Sequence, residues 1–450
     1  MQKDYFLNNE FAKQLYYDYA KDLPVIDYHN HLSINTLNDV PFADICELWV
    51  KADPYKHRLM RICGVPEELI TGGASNYDKF LAWCKIFPSL VGTPVFDWSL
   101  IELKRVFDID LMPSEENAKV IFDKANEVIK EKGISANYLL KLFNVEYSAP
   151  CQGILDDLSF FTTPDCVPSL RGDDMLLPTI DLIKKLSLIV GQEIVDLNGY
   201  ILALAKRIDD FYNVGCKFSD HALDNGFTYV KDDGLNAKRF AKLLKGKELS
   251  AQDKTQISCY VLRELFALYV SKNMVVQLHV GAQRQTSTRL KNLAGKAGGY
   301  AGIGSTVDVK SLTNMFDDVE QRAGLPRIIL FTLNPSDNAV MAILSGSYSK
   351  DGVSALVTQG PAWWWCDHLQ GINEMLDNFA VFSVLSTFVG MTTDSRSLLS
   401  FSRHDYFRRA LCKWIGDKVA KGELPEDKEL YKPIIEKMCY QNAKNIIMEK

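Results

Sequence analysis

The chain has 450 residues, 47% of them hydrophobic and 24% charged, with a net charge of −6. That composition fits a globular protein with room for one large domain or two ordinary ones, and it excludes a mainly disordered chain. It offers no basic face for nucleic acid, no apolar run long enough to span a membrane, and no apolar core of a signal peptide near the N-terminus.

The ten cysteines are scattered and form no CxxC pair. In a large chain without a signal they read as reduced thiols, mostly buried, which places the protein in the cytoplasm. The first strand candidate is residues 24–29, an apolar stretch that runs into His29-Asn30-His31. Roughly a hundred residues follow with little strand character, and three stretches (76–87, 97–107 and 114–132) have helical patterning. A simple strand-to-helix loop has only a few residues. Residues 32–144 therefore read as a helical insertion over the mouth of a single domain spanning 1–450.

Strand and helix patterns alternate after that. Strand candidates are 145–149, 166–170, 217–220, 275–279, 328–332, 354–358 and 388–391. Between them, Ile201, Leu204, Ala205, Ile208 and Phe211 repeat at helical spacing, and Gly215 stops that helix. Further helical stretches cover 257–272, 312–323 and 372–383. Short apolar strands separated by helices imply a parallel sheet covered by helices. With 24–29 the count is eight, the number that closes a (β/α)8 TIM barrel. An open doubly wound sheet is the rival. The polar residues gathered just after several strand ends favour the barrel, whose active sites lie there.

Residues two apart on a strand share a face, so His29 and His31 can converge on one point. Two imidazoles at that spacing suit a divalent transition metal; two separately hydrogen-bonded histidines are the plainer alternative. Asp27 has the same parity and could support them from beneath. Asp394 follows the last strand, which in a closed barrel lies beside the first, so it could be a third ligand or simply a helix cap. Arg396 could neutralise it or clamp an anion. His279 ends the fifth strand and could contact metal or substrate, or pack. Arg171 and Asp220 also follow strands. The glycine-rich stretch 297–304 reads as a mobile loop over the site. Trp363-Trp364-Trp365 reads as packing with one ring near the site.

With these residues assembled, the chain resembles the uronate (glucuronate) isomerases of the amidohydrolase superfamily. The segments IDYHNHL, LWVKADPYKHRLMR, PSLRGDD, GCKFSDHALD, QLHVGAQR, LNPSDN and FVGMTTDSRSLLSFSRHDYFRR carry the likeness nearly end to end. The resemblance implies a (β/α)8 barrel of the metal-dependent hydrolase type holding one divalent metal, usually zinc. It implies His29, His31 and Asp394 as ligands, and Tyr55, Asp394, Arg171, Asp220 and Arg396 as catalytic residues. His279, Arg284 and Trp364 would meet the substrate. It also implies a small hexuronate as the substrate and an aldose–ketose isomerisation through a cis-enediol, with Tyr55 and Asp394 as base and acid in undetermined order. One departure stands out: the family often has TTDDP after the second strand, where this chain has Ser148-Ala149-Pro150-Cys151-Gln152. A metal-dependent hydrolase on the same barrel is the alternative, and a silent barrel used for binding is another. Size and compartment suggest a homo-oligomer, with neither nucleic acid nor membrane as partner.

Overall fold

A computed structural model describes residues 3–449. Seven strands form one sheet in the order of the chain, with every neighbouring pair parallel. They are β1 (Val25–Asn30), β2 (Val145–Gly153), β3 (Ser169–Arg171), β4 (Phe218–Leu223), β5 (Val275–Val280), β6 (Ile328–Thr332) and β7 (Val357–Gln359). Each overlaps its sequence expectation, with ends that differ by up to four residues: β2 runs on to 153 and β4 to 223, while β3 starts only at 169 and β7 at 357. The expected eighth strand at 388–391 does not form. Helices fill the connections between successive parallel strands, except that β2 and β3 are joined by an irregular segment, residues 154–168.

Side-chain alternation divides the packing into an inner and an outer layer. On β5 and β6, Val275, Ile329 and Phe331 face an inner cluster with Ile26, Tyr28 and Phe218. Val276, Leu278, Ile328 and Leu330 face outward, onto Leu262 and Leu265 of helix Ala251–Ser271 and Phe316 of helix Val309–Ala323. Burying one such side chain is worth roughly 1.5–3 kcal/mol. The first of these helices starts where the Ser250 side chain accepts from the Asp253 N–H; the second stops before Gly324.

Between β1 and β2 the chain is helical, including Pro54–Ile62, Asn76–Ile86, Pro94–Phe107 and Ala118–Lys132, with no strand among the described residues. Its apolar faces share one core with helix Ser402–Ala420 near the C-terminus.

Residues 392–395 run beside β1 but make no ladder. Asp394 N–H donates to His29 O at 3.0 Å, and His31 N–H donates to Ser395 O at 2.8 Å. Between them a side chain takes the place of backbone: the His29 N–H donates to Thr392 Oγ1 at 2.9 Å. Gly390 and Asp394 have φ of +97° and +44°, which no extended strand contains. A β-carbon on Gly390 would come within 2.8 Å of Met438 O, so only glycine fits there. This is why an apolar run that reads as a strand does not become one.

Candidate metal and substrate site

The site is built where β1 ends. Asp27 is fully buried beneath it and anchors the neighbouring segment. Its carboxylate accepts from the Thr393 N–H at 2.6 Å, from the Thr392 and Thr393 hydroxyls at 2.9 Å each, and from Asn30 Nδ2 at 2.8 Å. The expectation that Asp27 supports the site from below is met through these bonds. The β1–β2 register shifts between Asp27 and Asn30, around His29 and just before His31 leaves the strand.

His29 and His31 do converge. Their Nε2 atoms lie 3.3 and 3.0 Å from the same oxygen, Asp394 Oδ1. Neither ring is aligned for a hydrogen bond, so this buried oxygen has no hydrogen-bond partner. The His279 ring lies 4.7 Å from that of His29, and its buried Nε2 is also without a partner. One donor atom each from His29, His279 and Asp394 fall within 4.8 Å of one another. Buried polar atoms are rarely left unpaired in folded proteins, and two that face one point fit a bound cation. The other Asp394 oxygen accepts from Trp363 Nε1.

Electrostatics agree with the geometry. Burial alone would raise the Asp394 pKa, but His29 and His31 hold its carboxyl well below the usual range. Burial would lower His29 and His31, yet Cys151 and Asp394 hold both above the ordinary imidazole value. His279 is kept far below it, by burial and then by His29.

A cavity of about 550 Å³ opens over these groups. His31, Tyr55, Arg171, Arg284, Trp364, Asp394 and Arg396 all line it. His29, Asp220 and His279 are buried behind them. Every site residue expected from the sequence is therefore drawn to one place. Tyr55 arrives on helix Pro54–Ile62, where its N–H donates to Asp53 Oδ1 at 2.9 Å. Arg403 lies 4.7 Å from its ring centroid. Burial outweighs this cation and raises the Tyr55 pKa, so the hydroxyl keeps its proton at neutral pH. Arg171 holds Asp173 at 3.0 Å and Arg284 holds Asp224 at 2.7 Å. Among the described residues Arg396 has no carboxylate within ion-pair distance. The glycine-rich stretch also borders the cavity through Ala297, Gly299 and Ala301, and Arg58 and Arg61 hold its carbonyls.

Two residues of the site escaped the sequence reading, and Trp363, read with its neighbours as packing, takes part through its bond to Asp394. Arg403 stacks between Tyr55 and Trp98. Cys151 lines the cavity, with Sγ 3.5 Å from His29 Nδ1 and 3.5 Å from Asp220 Oδ1. Cys151 could have been found: it shares strand parity with the inward Tyr147 and Ala149 once β2 is extended past 149. Burial and Asp220 would push its thiol up, and the two histidines bring it below its ordinary value.

A model of the glucuronate isomerase family matches residues 1–447. A uronate isomerase from Caldanaerobacter subterraneus subsp. tengcongensis is 38% identical, over 99% of this chain and 98% of its own. The crystal structure of a uronate isomerase from Thermotoga maritima superposes with a TM-score of 0.92 at 29% identity, covering 99% of both chains. A candidate metal-dependent hydrolase from Lactobacillus casei shares the fold alone, with a TM-score of 0.53 at 11% identity over 95% of this chain and 96% of its own.

Proposed function

The chain belongs to the glucuronate isomerase family and is an aldose–ketose isomerase of uronates; from that premise we propose that it interconverts D-glucuronate with D-fructuronate, and D-galacturonate with D-tagaturonate. The observation that carries the reading is the meeting of His29 Nε2 and His31 Nε2 at Asp394 Oδ1, on the wall of a cavity that also holds Tyr55, Arg171 and Arg396. The architecture behind it is a (β/α)8 barrel with residues 388–395 as its eighth stave, supported by the hydrogen bonds of 392–395 to β1. Residues 32–144 are the insertion over its mouth, which brings Tyr55 to the cavity.

His29, His31 and Asp394 would hold one divalent ion, zinc by the chemistry of nitrogen and oxygen donors, with His279 beside it. When bound, such an ion supplies Lewis-acid polarisation and orients the sugar acid. The protein's own groups move the protons. Asp394, held ionised, takes the proton from C2 of the aldose while the Tyr55 hydroxyl donates to O1, giving a cis-enediol. Asp394 then returns its proton to C1, and Tyr55 recovers one from O2, which leaves the ketose and restores both side chains. Arg396 pairs with the substrate carboxylate, assisted by Arg171 and Arg284. The Trp364 face, with Arg284 5.3 Å above it, borders the sugar. Asp220 steadies this wall through Cys151.

The test is ketose formation from glucuronate and galacturonate, with and without chelator. Turnover that chelator abolishes is the expected result; no ketose from either sugar overturns the reading. His29→Ala and His31→Ala should each lose bound metal, and full occupancy in either would remove that residue from the ligand set. We also propose a cytoplasmic location, supported by ten cysteines with no disulfide among the described residues. No helix of the described residues is long and apolar enough to cross a membrane. A homo-oligomer is proposed from exposed Leu188, Val195 and Leu202, with light scattering as its check.

A further inference from the structure

We propose that Cys151 gives this centre a second, sulfur-bearing metal seat that overlaps the carboxylate seat of Asp394. The proposal rests on the metal centre proposed above and goes beyond it. One donor atom each from His29, His31 and Cys151 lie within 4.8 Å of one another. Sulfur and nitrogen donors on one tetrahedral zinc, with bonds of about 2.3 and 2.1 Å, stand about 3.5 Å apart. Cys151 Sγ and His29 Nδ1 are 3.5 Å apart. Two nitrogen or oxygen donors on such an ion stand about 3.3 Å apart. That matches the 3.3 and 3.0 Å from Asp394 Oδ1 to the two Nε2 atoms. Both ligand edges are therefore preformed.

A second observation marks the adjoining seat as a ligand site. Asp394 Oδ1 and His279 Nε2, both buried, have no hydrogen-bond partner, and His279 and Asp394 form a donor group of their own with His29, the ring that also meets Cys151. The two seats share His29 but use different nitrogens, Nδ1 toward Cys151 and Nε2 toward Asp394. Both seats also draw on His31, so a single ion fills one of them at a time. With the ion on the sulfur side, His29 Nε2 stays free beside Asp394, 3.3 Å from its Oδ1. Ion entry there releases the thiol proton to solvent and leaves a thiolate–metal bond. A thiolate draws thiophilic ions such as zinc, cobalt or cadmium, whereas manganese prefers the oxygen side. Cys151 thus sets metal preference, and Asp394 keeps its carboxylate for the proton when the sulfur seat is filled.

The test is spectroscopic. The full chain is stripped with chelator and loaded with Co²⁺ alone. The expected result is a near-ultraviolet sulfur-to-cobalt charge-transfer band together with the visible d–d bands. Cys151→Ser and Cys151→Ala should lose the charge-transfer band while still binding Co²⁺, and Cys63→Ser, at the exposed cysteine, should keep it. The zinc-over-manganese preference should fall about tenfold or more in Cys151→Ser. Cobalt bound without the charge-transfer band overturns the sulfur seat and leaves the metal centre standing. A band that persists in both Cys151 variants also overturns it. No cobalt uptake by the unaltered chain overturns the metal centre and this seat together.

Discussion

The two flanks of the sheet are built by different rules. Between β5 and β6 the pairing runs residue for residue from Val276↔Ile328 to Val280↔Thr332. There backbone bonds backbone, the outer face is apolar, and the inner face sets Gln277 and His279 among Val275, Ile329 and Phe331. Beside β1, residues 392–395 substitute the Thr392 hydroxyl and the Asp27 carboxylate for ladder bonds, and Asp394 sits in a left-handed conformation. Such strain costs about 1–3 kcal/mol and persists only where surrounding bonds over-determine it. The regular flank holds the sheet's shape. The irregular flank aims one carboxylate at two imidazoles, which a regular strand with alternating side chains would not do.

This contrast can be tested by substitution, and the largest effect is expected at Asp394. Asp394→Asn should cut turnover by more than about 10³-fold, as loss of a proton-transfer group does, with the circular dichroism spectrum unchanged. Activity within tenfold of the parent would remove Asp394 from the chemistry. Tyr55→Phe comes next, with kcat down about 10²-fold. A change confined to KM would make Tyr55 a binding residue only.

Paired substitutions compare the flanks directly. Leu330→Ala, on the regular flank, and Asp27→Ala, on the irregular one, should each cost about 3 kcal/mol in denaturant unfolding. The first leaves a cavity, and the second leaves buried donors unpaired. Only Asp27→Ala should also lower activity per folded molecule and metal content. Equal activity in the two folded variants would show that the seam does not aim the site.

The smallest effect is at Asp367, which lies 3.6 Å from Arg403. Burial raises its pKa to about 7 against the pull of Arg403, so it folds protonated in acid. The sign follows from linkage: the raised carboxyl costs nothing below its unfolded value near 4, and its penalty grows as pH rises to about 7. Asp367→Asn removes that titration. Its melting temperature should therefore gain on the parent between pH 4 and pH 7 and hold that gain at pH 8. A gain that is constant across this range would place the Asp367 titration elsewhere.

Much of this was legible in sequence because it depends on local pattern. Apolar runs and helical spacing located seven strands. The HxH spacing at the first strand end marked a point where two imidazoles meet, and helical spacing located Asn76–Ile86, Pro94–Phe107 and Ala118–Lys132 between β1 and β2. Cys151 was missed because the strand candidate stopped at residue 149. Arg403 and the bond from Trp363 to Asp394 were missed because stacking and indole donation depend on partners far along the chain, and no local spacing records them.

The His29–His31 pair shows the division most clearly. Sequence by itself determined that these residues end an apolar strand and share a direction, because side-chain alternation is a property of the extended backbone. It also determined which residue types were available to hold a cation. Tertiary structure decided that Asp394 meets both rings, that Cys151 stands at the other nitrogen of His29, and that the last apolar run stays out of the ladder. Those outcomes turn on Asp27 meeting Thr392 and on Gly390 meeting Met438 across the fold. Contacts between residues hundreds of positions apart are set by packing of the whole chain.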